Sequence, residues 1–182
     1  MTSLILQAFY LALPAYFANM APVIFAKMGL LKSLARPIDN GRKLGSDYIF
    51  GSGKTWRGII SAVILSIIIS GIQAWLFGWD FFRSISVVDY PHKWLIFGCL
   101  AGLGAILGDL FKSFLKRRVG ILSGRSWPIF DQLDFIVGFF LFTYLLVRPS
   151  WQLIIAVFVL TLVLHPLTNV IAYVLKIKEV WW

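Results

Sequence analysis

Asp109, Lys112, Ser113 and Lys116 stand at i, i+3, i+4 and i+7, the spacing that puts four side chains on one face of a helix. Farther along, Asp131 and Asp134 share the first turn of another helix. The helix dipole there favours anions, but two carboxylates still repel unless a cation lies near them. Asp131 as a plain N-cap, with Asp134 paired to a loop arginine, is one account. The other is a hard divalent cation held by carboxylates from two helices. Mg2+ prefers that arrangement, with waters and substrate phosphates in the remaining positions. Lys116, Arg117, Arg118 and Arg125 lie between the two acidic groups. Carboxylates, a metal and cationic donors around one pocket are the parts of phosphoryl or nucleotidyl transfer, where catalysis is mostly positioning and neutralising phosphate charge.

A second stretch bears on the same chemistry. Phe50 to Gly58 reads FGSGKTWRG, and Gly53-Lys54-Thr55 matches the end of a P-loop. The full pattern needs a glycine where Tyr48 stands, and an almost wholly apolar run follows from Gly58 to Phe77, so the P-loop reading fails. A phosphate-binding turn without that topology fits better: Gly51 and Gly53 let the backbone approach phosphate oxygens, while Lys54 and Arg57 reach into one pocket.

The elements that must position these residues are membrane spans. Of 182 residues, 59% are hydrophobic and 14% charged, against about 25% charged in a soluble domain. Mean hydropathy is +0.84. Five apolar segments, about 3–28, 58–77, 94–114, 131–147 and 151–175, predict an all-α membrane protein with five transmembrane helices and no soluble domain. The first segment has no cationic N-terminal region and contains Pro14, Asn19 and Pro22, so it does not read as a cleavable signal. Cys99 is the one cysteine, which excludes an intrachain disulfide.

Fourteen Lys and Arg residues fall on one side of this arrangement and three (Arg83, Lys93, Arg148) on the other. The positive-inside rule then predicts an outside N-terminus, two cytosolic loops (about 29–57 and 115–130) that form the active site, and a cytosolic C-terminus. The net charge of +9 suits anionic headgroups as well as an anionic substrate. With no basic soluble module, nucleic acid is not an expected partner. Asp109 sits only about 9 Å along the helix axis from Leu115, a shallow depth but a poor one for an unpaired charge. Trp181-Trp182 reads as an interfacial anchor, and His165-Pro166 with Asn169 as a kink carrying a hydrogen-bonded histidine. Gly98-x-x-x-Gly102 and Gly104-x-x-x-Gly108 read first as close helix packing.

Gly108-Asp109-Leu110, Ser113, Lys116-Arg117, Pro128, Asp131 and Asp134, in that order, resemble the signature of the membrane-embedded CTP:lipid-phosphate cytidylyltransferases. The ending Asp131-Gln132-Leu133-Asp134-Phe135 resembles their archaeal branch, the CDP-archaeol synthases. Pro37 to Gly41, Gly53 to Gly58, Asn19 and Pro22 are similar to that branch as well, so the likeness covers essentially the whole chain. Bacterial phosphatidate-type enzymes carry a Lys-Asp pair where Leu122-Ser123 stand here, and a His-Gly-Gly that is absent. The missing carboxylate is one a second metal would use.

The resemblance implies a reaction. CMP passes from CTP to 2,3-bis-geranylgeranylglycerol 1-phosphate, with Mg2+, at the cytosolic face of the cell membrane. It implies Asp109, Asp131 and Asp134 as metal ligands, with Lys116 and Arg117 completing the catalytic set. Gly51, Gly53, Lys54, Thr55, Arg57, Lys112, Ser113 and Arg118 become substrate contacts, and Asn19, Asp39 and Asn40 polar groups to orient substrate or read cytosine. Phosphatidate cytidylyltransferase is the alternative within the class, and a small transporter or a membrane scaffold outside it. A transporter predicts charges through several spans, whereas here they gather at one end.

Overall fold

The computed structural model describes residues 2–45, 47–51 and 53–177. Six α-helices carry the fold: α1 (Thr2–Lys27), α2 (Trp56–Leu76), a short α3 (Asp80–Ile85), α4 (Tyr90–Arg118), α5 (Phe130–Thr143) and α6 (Trp151–Val174). Four of them, α1, α2, α4 and α6, are long and apolar enough to cross a membrane.

Two elements differ from the sequence expectation. Helix α5 has 14 residues, about 21 Å, where a span over 131–147 was expected. Its last turn is irregular but still bonded: Tyr144 N–H donates to the Phe140 carbonyl (2.9 Å) and Val147 N–H to the Thr143 carbonyl (2.8 Å). Pro149 then disfavours any helical continuation. Helix α4 is longer than expected, 29 residues starting with Pro91 in its first turn. Lys116, Arg117 and Arg118 therefore stand on its last helical turn rather than in a loop, where the dipole favours cations. Helix α3 lies in the connection between α2 and α4 and buries Ile85. Trp181 and Trp182 lie outside the described residues.

The helices approach closely because small residues line their contacts. Helix α1 buries Ala8, Ala12, Ala15, Ala18 and Ala21 completely. Helix α2 buries Gly58, Ser61, Ala62, Ser66 and Ser70 at helical spacing. Two of its polar members bond across helices: Ser70 Oγ donates to the Trp94 carbonyl (2.7 Å), and Gln73 Nε2 to the Tyr10 carbonyl (2.6 Å). Between α1, α2 and α5 runs α4, with glycines on two faces. A Cβ at Gly98 would lie 2.8 Å from Ile67 Cα, and one at Gly102 2.9 Å from Val63 Cα, both in α2. On the other face, a Cβ at Gly104 or Gly108 would collide with the carbonyl oxygens of Gly138 and Asp134 in α5. Where side chains are large they stack edge to face: Tyr90 on Phe97 (5.7 Å between centroids) and Phe97 on Phe139 (6.1 Å).

One end of this bundle carries both long connections. The first, between α1 and α2, holds a hairpin of β1 (Lys43–Leu44) and β2 (Asp47–Tyr48). Arg118 at the end of α4 donates to the carbonyls of Leu44 (2.7 Å) and Tyr48 (3.0 Å), tying the hairpin down. Lys27 Nζ reaches the Lys176 carbonyl (3.3 Å), so the end of α1 meets the segment after α6 there too.

The glycine contacts make a prediction. Gly108→Ala forces α4 and α5 apart and should lower the melting temperature in detergent, at a cost of about 1–3 kcal/mol. Val163→Ala, on the exposed side of α6, should leave that temperature nearly unchanged.

Candidate active site

Asp109 projects from α4 beside Gly108, whose missing side chain lets the α5 backbone lie against α4. That contact brings Asp131 and Asp134 of α5 towards Asp109. All three carboxylates close on one ammonium. Lys112 Nζ lies 3.2 Å from Asp109 Oδ1, 2.8 Å from Asp131 Oδ1 and 2.7 Å from Asp134 Oδ2. Two further lysines complete the charge balance. Lys54 of the first connection pairs with Asp109 Oδ2. Lys116 pairs with Asp131 (3.1 and 3.2 Å) and also donates to the Arg125 carbonyl. Three acids and three lysines from three parts of the chain thus form one neutral cluster, most of it shielded from solvent.

Local structure fixes each member. Asp131 accepts from the Trp127 N–H (2.5 Å), which fastens the turn before α5. Ile129 in that turn has φ 69°, a strained value for a β-branched residue. Asp134 Oδ1 accepts from its neighbour's N–H, Phe135 (2.6 Å). Its Oδ2 is buried and ion-paired to the Lys112 ammonium at 2.7 Å. Lys54 is positioned by backbone pairing across the first connection. Ile38 N–H donates to the Lys54 carbonyl (3.0 Å) and Trp56 N–H to the Arg36 carbonyl (3.1 Å).

The cluster lies against a cavity of about 500 Å3, within the range of small-molecule sites. Asn19, Gly53, Lys54, Asp109, Lys112, Ser113, Lys116, Arg117 and Asp131 line it, and Asp134 sits behind Lys112. Arg117 is buried to 7% exposure, and its Nε makes no hydrogen bond.

Other candidates are not brought to the cavity. Asp39 is buried and accepts from the N–H groups of Gly41 (3.0 Å) and Phe50 (3.1 Å), so it holds the connection in shape. Thr55 caps α2, accepting from Gly58 N–H (3.2 Å). Gly51 has φ 102°, and a Cβ there would meet Ser123 Oγ at 3.2 Å, so it is the point where the two connections touch. Asn40 is an exposed turn residue with φ 49°, Arg57 does not line the cavity, and Arg118 clamps the hairpin.

The sequence reading missed one wall. His165, Thr168 and Asn169 of α6 line the same cavity. They recur at i, i+3 and i+4 in a mostly apolar helix, which was the available signal; the expected hydrogen-bonded histidine is present, with Asn169 Nδ2 and His165 Nδ1 3.4 Å apart, but its place at the cavity was not foreseen.

No ion is needed to hold the acids together here, because Lys112 does so. Among the described residues no three Asp, Glu, His or Cys side chains are grouped as a ready-made metal site. The donor set nevertheless suits Mg2+: all oxygen, carried by two rigid helices.

A family model described as CarS-like CDP-archaeol synthase matches residues 1–182. This chain belongs to that family. It is 36% identical to the CDP-archaeol synthase of Methanococcus aeolicus, over 98% of this chain and 97% of that one. It is 35% identical to that of Methanocaldococcus jannaschii, over 98% of both chains. Against that of Methanopyrus kandleri identity is 39%, over 97% of this chain and 92% of the other. A solved structure described as an intramembrane enzyme for archaeal membrane lipids biosynthesis superposes with a TM-score of 0.75 at 29% identity, over 91% of this chain and 94% of that one. The chain is therefore a multi-pass membrane enzyme of the nucleotidyltransferase class.

Asp39→Ala leaves two backbone N–H groups without their acceptor, a local cost of about 1–3 kcal/mol. Limited trypsin digestion should then cut at Arg42 and Lys43 faster than in the unaltered protein.

Proposed function

We propose that this chain transfers CMP from CTP to the phosphate of 2,3-bis-O-(geranylgeranyl)-sn-glycerol 1-phosphate, giving unsaturated CDP-archaeol and pyrophosphate. One observation carries the reading: three carboxylates and three lysines from three parts of the chain meet at a cavity of about 500 Å3. Family membership supports it, since the relatives are named for this product. The basic end of the bundle lies on the cytosolic side in this reading, where CTP is available, and α5 with its irregular last turn completes a fifth crossing.

The chemistry asks little of the protein beyond placement and charge. An oxygen of the lipid phosphate forms a bond to the α-phosphorus of CTP as the bond from that phosphorus to the β-phosphate bridging oxygen breaks. The nucleophile is already an anion, so no strong general base is needed. Asp109, Asp131 and Asp134 are the residues that would hold Mg2+, which when bound supplies positive charge to the triphosphate. Lys54, Lys116 and Arg117 face the same cavity and neutralise the incoming phosphate and departing pyrophosphate. Ser113, buried on the cluster's face of α4, donates a hydroxyl hydrogen bond to a phosphate oxygen. Asn19, His165 and Asn169 form the wall that orients the remainder of the substrates.

Purified protein with CTP, Mg2+ and the geranylgeranyl lipid phosphate should release pyrophosphate, and a chelator should stop it. Phosphatidic acid in place of the ether lipid should react poorly; equal rates would shift the reading to phosphatidate cytidylyltransferase. Asp131→Asn should reduce turnover by about 100-fold or more while the protein stays monodisperse in detergent. Near-normal turnover would remove Asp131 from the metal site.

A further inference from the structure

We propose that Lys112 is the resident counter-ion of the carboxylate cluster when no nucleotide is bound, and that its ammonium must pass to a phosphate oxygen before a divalent cation settles. The proposal deepens the reading above and rests on it, since it takes Asp109, Asp131 and Asp134 as the metal's ligands.

Geometry sets up the exclusion. The Lys112 ammonium is 3.2, 2.8 and 2.7 Å from oxygens of the three acids. Mg2+ binds carboxylate oxygens at about 2.0–2.1 Å, so the two cations cannot share that centre. Among the described lysines Lys112 alone touches all three acids. Lys54 touches Asp109, and Lys116 touches Asp131 and the Arg125 carbonyl. Without Lys112 in place, three largely buried carboxylates would face one another across the α4–α5 contact, which like charges oppose.

Charge sets the order of events. The Lys112 side chain is only 12% exposed. Pushing its ammonium out of the cluster with nothing to receive it would leave a buried, unpaired cation, which proteins strongly disfavour. The cavity that Lys112 lines opens another route. Its flexible four-carbon stem can carry the charge to a triphosphate held there. Nucleotide and metal therefore arrive together, and the metal alone is a poor ligand.

Mn2+ titration of the purified protein in detergent, with free Mn2+ followed by electron paramagnetic resonance and no nucleotide present, tests this. Lys112→Met should bind one Mn2+ about tenfold or more tighter than the unaltered protein, because the competing internal cation is gone. Mn2+ should also raise the melting temperature of the variant and not that of the parent. Lys112→Gln is the second variant if Met destabilises the fold. If neither variant is stable, the parent decides: no tight Mn2+ without nucleotide supports the proposal, and one Mn2+ held at micromolar concentration overturns it. Equal affinity in parent and variant also overturns it. Pyrophosphate release by the same parent preparation keeps the two readings apart. An active parent that binds Mn2+ tightly removes the role of Lys112 and leaves the reaction standing. A parent inactive with CTP and either lipid phosphate removes both.

Discussion

The backbone contact between α4 and α5 is the constraint on which the rest depends. Gly104 and Gly108 on one helix and Gly138 on the other leave no side chain between them, and the Asp134 carbonyl lies against Gly108. Two helices this close bring acids from both within reach of a single lysine. The contact is apolar and geometric, yet its main product is electrostatic. In lipid, where apolar burial gives no drive for helices to associate, close packing of small residues is one of the few forces available. The charged cluster adds a second tie at the end of the same interface.

Around that interface the chain divides its polar residues between two tasks. Asp39, Thr55, Gly51 and Arg118 shape the connections by capping, turning and clamping backbone. Lys54, Lys112, Ser113, Lys116 and Arg117 instead face the cavity. Their types overlap, and Lys116 belongs to both groups, pairing with Asp131 while donating to the Arg125 carbonyl. Arg118 and Arg117 are neighbours in sequence, but a helix turns about 100° per residue, so one meets the hairpin and the other the cavity.

Much of this could be read from residue spacing. Apolar runs gave α1, α2 and α6 to within two residues and α4 four residues short at each end, and the i, i+3, i+4, i+7 pattern picked out the cavity-lining side of α4. Spacing within a helix says nothing of which neighbour a face meets. Lys112 therefore looked like one more cation beside an acid, and its central place emerged only when α5 was docked. The polar face of α6 was hidden for the same reason: His165 and Asn169 gain meaning from the cavity they border. Asp39 was misleading in a different way. A buried carboxylate serving two backbone N–H groups has the same sequence appearance as one awaiting a ligand.

Asp109 and Lys112 are three residues apart on one helix and already paired with each other. That pair can form as soon as α4 is helical, before any neighbour is present. During membrane insertion α4 can thus enter the bilayer carrying a local zwitterion in place of two separate charges, and Asp131 and Asp134 join it when α5 follows. Lys54, made earlier, gains its partner only when α4 arrives, so the pair within α4 is the one that needs no other segment.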